Sequence, residues 1–346
     1  MKLDAIVGFD PQIKIVKNKE WPEEILAISA LDHLTKHGLI FIKNAKFFKS
    51  FAGSIEKAAE LKVGAIVEEK FYSSLAEGDR ELLEKLPWVA TTPSVPLTLT
   101  ILSKPFFDRK MKGLNFQADG RQMGTVDIDP TAHVSQNVFI GEHVKIGAKV
   151  TIMPGVVILP HCEIQEGTTL YPNVSLYPFT TVGKNCRIHS GTVIGSDGYG
   201  YTFHQGQHLK IWHMGGVQIH DDVEIGSNTS VDQGTFSPTV IGSGTRVDNQ
   251  VQIAHNCRIG KGCILCGQVG LAGSVTLEDY VVMGGKSAIG PDAHIGTGSQ
   301  IAGGAGVNDG AVLAPGSKVG GHPARDIKEW MRGVAYLRKV SQRDSK

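Results

Sequence analysis

The chain has 346 residues, enough for more than one small domain, and carries 35 Lys+Arg against 34 Asp+Glu for a formal net charge of +1. This balance excludes a chain-wide field for nucleic acid or membrane, so electrostatic recognition has to be local. Glycine is frequent, at 42 residues, and recurs among Val and Ile, as tight turns in a β structure would require.

The first residues, MKLDAIVGFDPQ, lack the long apolar stretch and small-residue cleavage site of a signal peptide. No apolar run reaches the roughly 20 residues that span a bilayer, so a cytoplasmic location is expected. Residues 1–105 hold EILAISALDHL, GLIFIK, SIEKAAELKVGAIVEE and LPWVATTPSVPLTLTIL, a mixture of helix and strand patterns that predicts a small α/β domain.

From residue 106 to 322 the pattern changes. Every sixth residue from Ile128 to Ile194 is Ile, Val or Leu; the phase resumes with Ile219, Ile225 and Val231, then runs from Ile241 to Val319 with Met283 as the one departure. A period of six suits neither a helix nor a continuous strand. It suits short strands joined by turns, three to a triangular coil, with the repeated aliphatic pointing inward. The predicted fold is mainly β: a left-handed parallel β-helix of about ten coils. Gly often follows the aliphatic (Gly141, Gly147, Gly226, Gly260), where the corner is expected to need a permissive backbone. Residues 323–346, with ARDIKEWMRGVAYLRKVSQR, predict an amphipathic basic helix after the break at Gly320-Gly321-His322-Pro323.

The five cysteines are an odd number in a chain without an export signal, so disulfides are not expected. Cys162, Cys186, Cys257 and Cys263 lie two positions before a repeat aliphatic, a slot that holds Ser299 and Ala305 elsewhere, and read as small packed residues. The lone CxxC of Cys263 and Cys266 has no second pair to make a zinc site, and no metal is expected.

Two insertions break the repeat: Ser196 to about Val217, rich in Tyr, Trp, His and Gly, and QGTFSPT near 233–239. In a solenoid such insertions are either tolerated surface loops or a binding face; the aromatic content favours binding. His133, His143, His161 and His189 fall on ordinary outward positions. His255, two residues after inward Ile253, has Asp248, Asn249, Gln252 and Asn256 close by and Asp232 in the coil before. It reads either as a general base oriented by a carboxylate or as a surface histidine. Asp232 is the candidate to orient it; Asn249 and Gln252 read as substrate ligands or as stacked polar side chains.

The run IGSDGYGY, VEIGSNTSVDQGT, VDNQVQIAHNCRIG, GLAGSV and MGGKSAIG resembles the UDP-3-O-acylglucosamine N-acyltransferase family of lipid A biosynthesis across nearly the whole chain. The resemblance implies a homotrimer that moves a 3-hydroxyacyl group from the phosphopantetheine thioester of acyl carrier protein to the 2-amino group of a UDP-3-O-acylglucosamine, with no other cofactor and no nucleic acid partner; the lipid-bearing substrate makes a peripheral membrane contact compatible with it. It implies His255 as the base and the backbone N–H of Gly273, in AGS, as the oxyanion donor. Phe41, Asn44 and Phe47, in FIKNAKF, are the implied uridine contacts, with Phe47 where Tyr is common. At a second histidine's usual place stands Asp292, with His294 two residues on, and His294 is the alternative substrate ligand. Gly303, Gly304 and Gly306 are implied to leave room for a long acyl chain. Arg325, Lys328, Arg332, Arg338, Lys339 and Arg343 make the terminal helix either a dock for acidic carrier protein or a solvated trimer-forming helix. The rivals are the O-acyltransferase of the same pathway, which lacks an N-terminal domain of this kind, a zinc hydratase, which needs a third histidine beside His255 and His294, and a scaffold without catalysis.

Overall fold

A computed structural model describes residues 1–18, 24–321, 324 and 326–341. The N-terminal part is a five-stranded sheet in the order Lys14–Asn18, Trp88–Thr92, Gly64–Glu68, Gly38–Ile42, Ala27–Ile28, antiparallel only at the first pair. The strands GLIFI and WVATT are buried at every residue, as a sheet covered on both faces demands. One face packs on Leu3, Ile6, Leu102 and Phe106, the other on Phe48, Phe51, Ile55 and Leu83. A Cβ at Gly64 would lie 1.8 Å from the Trp88 ring, so the indole can cross this strand only over glycine.

The domain boundary expected at 105 falls inside the helix Val95–Met111. Pro105 removes one helical N–H without ending the helix, because Leu102 and Phe106 on either side of it are buried against the sheet. The α/β part therefore runs on to Met111, and the first strand of the repeat is Asp127–Ile128.

From there the chain forms a parallel β-helix whose strands fall into three sheets of ten, nine and ten among the described residues. Each strand pairs with the strand three further on, so that Ile140, Ile158, Leu176 and Ile194 form one column at 18-residue spacing. The repeated aliphatics are the core of the prism; burying one such side chain contributes roughly 1.5–3 kcal/mol. The slot two residues earlier is less restricted than the sequence suggested. It holds Val144, Val150 and Val156 as well as the four cysteines, all buried. Several polar members of this slot donate to a carbonyl of the next coil, among them Cys162 to Tyr177 at 3.1 Å, Cys257 to Ala272 at 3.2 Å and Thr245 to Gly260 at 2.9 Å. Cys263 does the same toward Glu278, and both it and Cys266 are free thiols.

The corners also differ from expectation. The residue with positive φ comes three after the aliphatic and is mostly not glycine: His143, Lys149, His161, Asn173, Asn256, Ser274 and Asp292 all occupy it. The glycine directly after the aliphatic is required by crowding instead. A Cβ at Gly141, Gly226 or Gly260 would stand 2.5–2.6 Å from backbone atoms of the next coil. Between these two positions the main-chain N–H often meets no carbonyl, and Pro130, Pro154, Pro160, Pro172, Pro178, Pro291 and Pro315 occupy that place.

The helix Ile327–Ser341 closes the described chain with Trp330, Tyr336 and Leu337 exposed. Arg325 and Arg343, and the His322-Pro323 break, lie outside the described residues. No helix of the described residues is long and apolar enough to cross a membrane.

Candidate active site

Ile253 and Leu271 are paired across consecutive coils, and His255 and Gly273 each follow by two residues. The repeat therefore sets the imidazole directly over the glycine: a Cβ on Gly273 would lie 2.6 Å from His255 Cε1 and 2.7 Å from Nε2. Gly273 holds the corner place that proline takes elsewhere. Among the described residues its N–H meets no acceptor, while its carbonyl accepts from the Asp292 N–H at 3.1 Å. A residue with an unused N–H thus stands against the imidazole at the wall of a cavity of about 750 Å³.

The ring's other nitrogen fixes its tautomer. His255 Nδ1 is 3.1 Å from Asn256 Oδ1. That oxygen also accepts from the Thr235 N–H at 3.0 Å and the Thr235 hydroxyl at 2.8 Å, and a backbone N–H can only donate. The Asn256 amide is thereby oriented oxygen-first, so Nδ1 carries the proton and Nε2 carries the lone pair. Asn256 itself sits in the left-handed corner (φ 60°), which Asn tolerates better than most residues.

Asp232 and Gln252 join His255 and Gly273 in the cavity wall. Asp232 makes no hydrogen bond to His255, contrary to expectation, though the two interact through their charges. Its carboxylate accepts from Gln252 Nε2 at 3.1 Å and from Ser196 Oγ at 3.3 Å, and the neighbouring amide of Asn256 holds the imidazole in its place. Burial pushes the Asp232 carboxyl above its ordinary range, against the hydrogen bonds from Gln252 and Ser196. Asn249 is not brought in. It lines another cavity with His189 and Arg246, and its Oδ1 accepts from the Ser227 N–H at 2.7 Å.

A second cavity, of about 450 Å³, lies between the α/β part and the β-helix, with Phe41, Phe47 and Leu99 facing Phe236, Asn256 and Arg258. It shares Ser274 and Asp292 with the first, so the two make one cleft. Phe41 is buried and Phe47 is 42 % exposed, one ring fixed in the sheet and one at the mouth. Asn44 works as a helix cap: its Oδ1 accepts from the Lys46 and Phe47 N–H groups, which aims the first helical turn and Phe47 with it. Arg258 is a basic residue of this second cavity and is paired with Asp32 of the α/β part at 2.5 Å.

His294 does not line this cleft. Its Nε2 is held 2.8 Å from Glu278 Oε1, beside the preceding strand of the same sheet, and Asp292 occupies the cleft instead. The hydroxyl of Thr297, then His294, hold the Glu278 carboxyl down to about 2. His294 stands one coil beyond Arg258 and Thr276 in their outward column, and those two line the second cavity where it does not.

The first insertion forms a hairpin, Tyr201–His204 with Gln207–Lys210, whose approach carries Asp197, Tyr199 and Tyr201 to the cavity rim. Met214 of this insertion and Phe236 of the second pack into the core of the α/β part. Both insertions therefore tie the N-terminal part to the cleft. Ser274 and Arg258 escaped sequence reasoning as site residues, and Asn256 and Asp292, though noted beside His255 and at a second histidine's place, were given no role. Their signal was the 18-residue spacing of one corner, on which 256, 274 and 292 fall together.

The bacterial transferase hexapeptide model (six repeats) matches residues 137–171, 161–196 and 238–273. UDP-3-O-acylglucosamine N-acyltransferases are similar in sequence: that of Methylobacterium nodulans is 35 % identical over 163 residues, 47 % of this chain and 46 % of the relative. That of Azorhizobium caulinodans is 51 % identical over 161 residues, 46 % of this chain and 44 % of the relative. The chain thus spans about half the length of the curated relatives it matches. Among solved structures, UDP-N-acetylglucosamine acyltransferase from Campylobacter jejuni aligns at 23 % identity and a TM-score of 0.44, covering 54 % of this chain and 69 % of the other. The chain is a hexapeptide-repeat β-helix protein, and about half of it is similar in sequence to the UDP-3-O-acylglucosamine N-acyltransferases.

Proposed function

We propose that the chain is an N-acyltransferase acting in the cytoplasm as a homotrimer, moving a 3-hydroxyacyl group from acyl carrier protein to the 2-amino group of UDP-3-O-acylglucosamine in lipid A biosynthesis. The observation that carries this reading is His255 over Gly273, with Nδ1 protonated against Asn256 and Nε2 against a residue whose N–H is unused. The amine nitrogen attacks the thioester carbonyl carbon while Nε2 takes its proton. The carbonyl oxygen becomes an oxyanion facing the Gly273 N–H, a donor of a kind worth roughly 3 kcal/mol. The C–S bond then breaks, and the proton held on Nε2 leaves with the thiolate. Asp232, tied to Gln252 and Ser196, offers its carboxylate to the amine rather than to the imidazole.

The linked cleft supports a nucleotide-sugar. Phe41 and Phe47 suit the two sides of a uracil, and Asn44 sets the turn that presents Phe47. Removing Asn256's side chain, as in Asn256→Ala, is expected to lower kcat about 10- to 100-fold, the usual effect of losing a group that orients a histidine. Asn256→Asp keeps the acceptor oxygen and is expected to recover most of the loss. Steady-state kinetics on both variants checks this, and equal rates for Asn256→Ala and wild type would refute the orienting role.

The acyl chain has an obvious track. Gln252, Gly270, Ala288 and Gly306 stand at one outward register position in successive coils, and a Cβ at Gly306 meets nothing within 4 Å. Gly306→Met is expected to shift the preferred donor toward shorter chains with stability unchanged. A competition assay between acyl carrier proteins bearing different chain lengths reads this, and an unaltered preference would discard the track. The basic residues Lys328, Arg332, Arg338 and Lys339 on the terminal helix suit an acidic carrier protein.

A further inference from the structure

His213 is buried, 0 % exposed, and neither ring nitrogen completes a hydrogen bond among the described residues, the Ile211 main chain being the one polar group that comes close to pairing with it. A native protein rarely leaves two such atoms unpaired without a use for the group. The ring stands edge-on to His255, with centroids 4.9 Å apart and planes at 60°. Two glycines of the insertion make the room. A Cβ on Gly198 would lie 2.7 Å from His213 Nε2 and 2.6 Å from His255 Cβ, and one on Gly200 would lie 2.9 Å from His213 Cε1.

The residues flanking His213 are anchored to the helix Val95–Met111. The Trp212 N–H donates to Ser103 Oγ at 3.1 Å, the Trp212 ring packs on Phe107 at 4.8 Å, and the Met214 carbonyl accepts from Lys110 Nζ at 2.5 Å. The insertion is therefore a strap that starts on the helix of the α/β part and ends on the ring of His255.

We propose that His213 is a positioning residue for His255, walling its ring so that Nε2 stays over Gly273, and that it does so only while uncharged. The use of that ring as a base rests on the function proposed above; the wall itself does not. The titratable and charged groups acting on His213 are His255 of the β-helix and Lys210 of the strap, which lower its proton affinity, and Asp197 of the strap, which raises it; Lys110 of the helix behind it is held at the Met214 carbonyl. Burial first, then His255, push the His213 imidazole down to about 4. A strap released into water would titrate near the ordinary value, about 6.5. The docked strap thus has the lower proton affinity, so docking is complete above about pH 6.5 and weakens as pH falls toward 4, by roughly 10²-fold over that range.

The test uses the full chain with ring-nitrogen-labelled histidine, needs no substrate for its first arm, and so survives a failure of the acyl-transfer reading. Amide exchange in residues 198–213, corrected for its intrinsic pH dependence, is expected to accelerate by about 10²-fold between pH 7.5 and 4.5 in wild type, and to be flat in His213→Leu. The ring-nitrogen shifts of His255 are expected to report one tautomer, protonated at Nδ1, in wild type and His213→Leu, and a mixture in His213→Ala. In the second arm, N-acylation kinetics, His213→Ala is expected to lose about 10-fold in kcat with KM little changed, and His213→Leu to stay within about threefold of wild type. Exchange independent of pH in wild type would overturn the proposal. So would a His213→Leu variant as slow as His213→Ala, since that would make the ring nitrogens themselves the working part. If His213→Ala does not fold, the His213→Leu comparison decides alone.

Discussion

Replacing His255 by alanine is expected to lower the N-acylation rate by at least about 10²-fold, within the 10²–10⁴-fold range of a positioned base. The loss should fall on kcat. His255 contributes to a cavity whose other walls, Asp232, Gln252, Ser274 and Asp292, remain in place without it. Stability should hardly change, because the ring lies over Gly273 and beside His213 outside the prism core, which is built from Ile253, Leu271 and their columns. A His255→Ala variant with the thermal midpoint and KM of wild type but a kcat two orders lower would meet the expectation. A kcat within threefold of wild type would remove His255 from the chemistry.

Gly273→Ala should be nearly as damaging for a different reason. The φ of Gly273 is not in the left-handed region, so alanine brings no backbone strain there. The added methyl instead enters the space of the imidazole, 2.6 Å from Cε1 and 2.7 Å from Nε2. His255 must swing away, its Nδ1 leaves Asn256, and the Gly273 N–H is covered on the cavity side. The expected result is a fall in kcat of about 10²-fold with folding intact, since removal of one oxyanion donor alone costs roughly 10²–10³-fold. Gly273→Ala activity close to wild type, with the fold unchanged, would argue that neither the donor nor the ring position matters.

The β-helix was readable because its signal is redundant. Each inward aliphatic from Ile128 to Val319 repeats the same instruction, and the strands fall where those residues do. The reason for the corner glycines was misread, since Gly141 and Gly226 answer to the backbone of the next coil, which no single-repeat reading contains. His255 with Gly273 was legible through resemblance, and the 18-residue spacing explains why the pair meets. Asp232 as orienter was not borne out by contact, because Asn256, the very next residue, reaches Nδ1 first. His294 stands one coil beyond the cleft residues Arg258 and Thr276 of its own column, and Asn249 lies on another face of the prism. The helix through Pro105 was hidden because local propensity at proline was outweighed by burial of Leu102 and Phe106. His213 could not have been found at all, since its place depends on how the insertion folds back onto the coil.

The most direct test of the central claim is N-acylation of UDP-3-O-acylglucosamine by the purified wild-type chain with 3-hydroxyacyl carrier protein, followed by mass spectrometry of the nucleotide-sugar product. The account predicts one new acyl group, in amide linkage on the 2-amino nitrogen, with free carrier-protein thiol released in equal amount. Folded protein that yields no product across donors of several chain lengths, or that places the acyl group on oxygen, would contradict it.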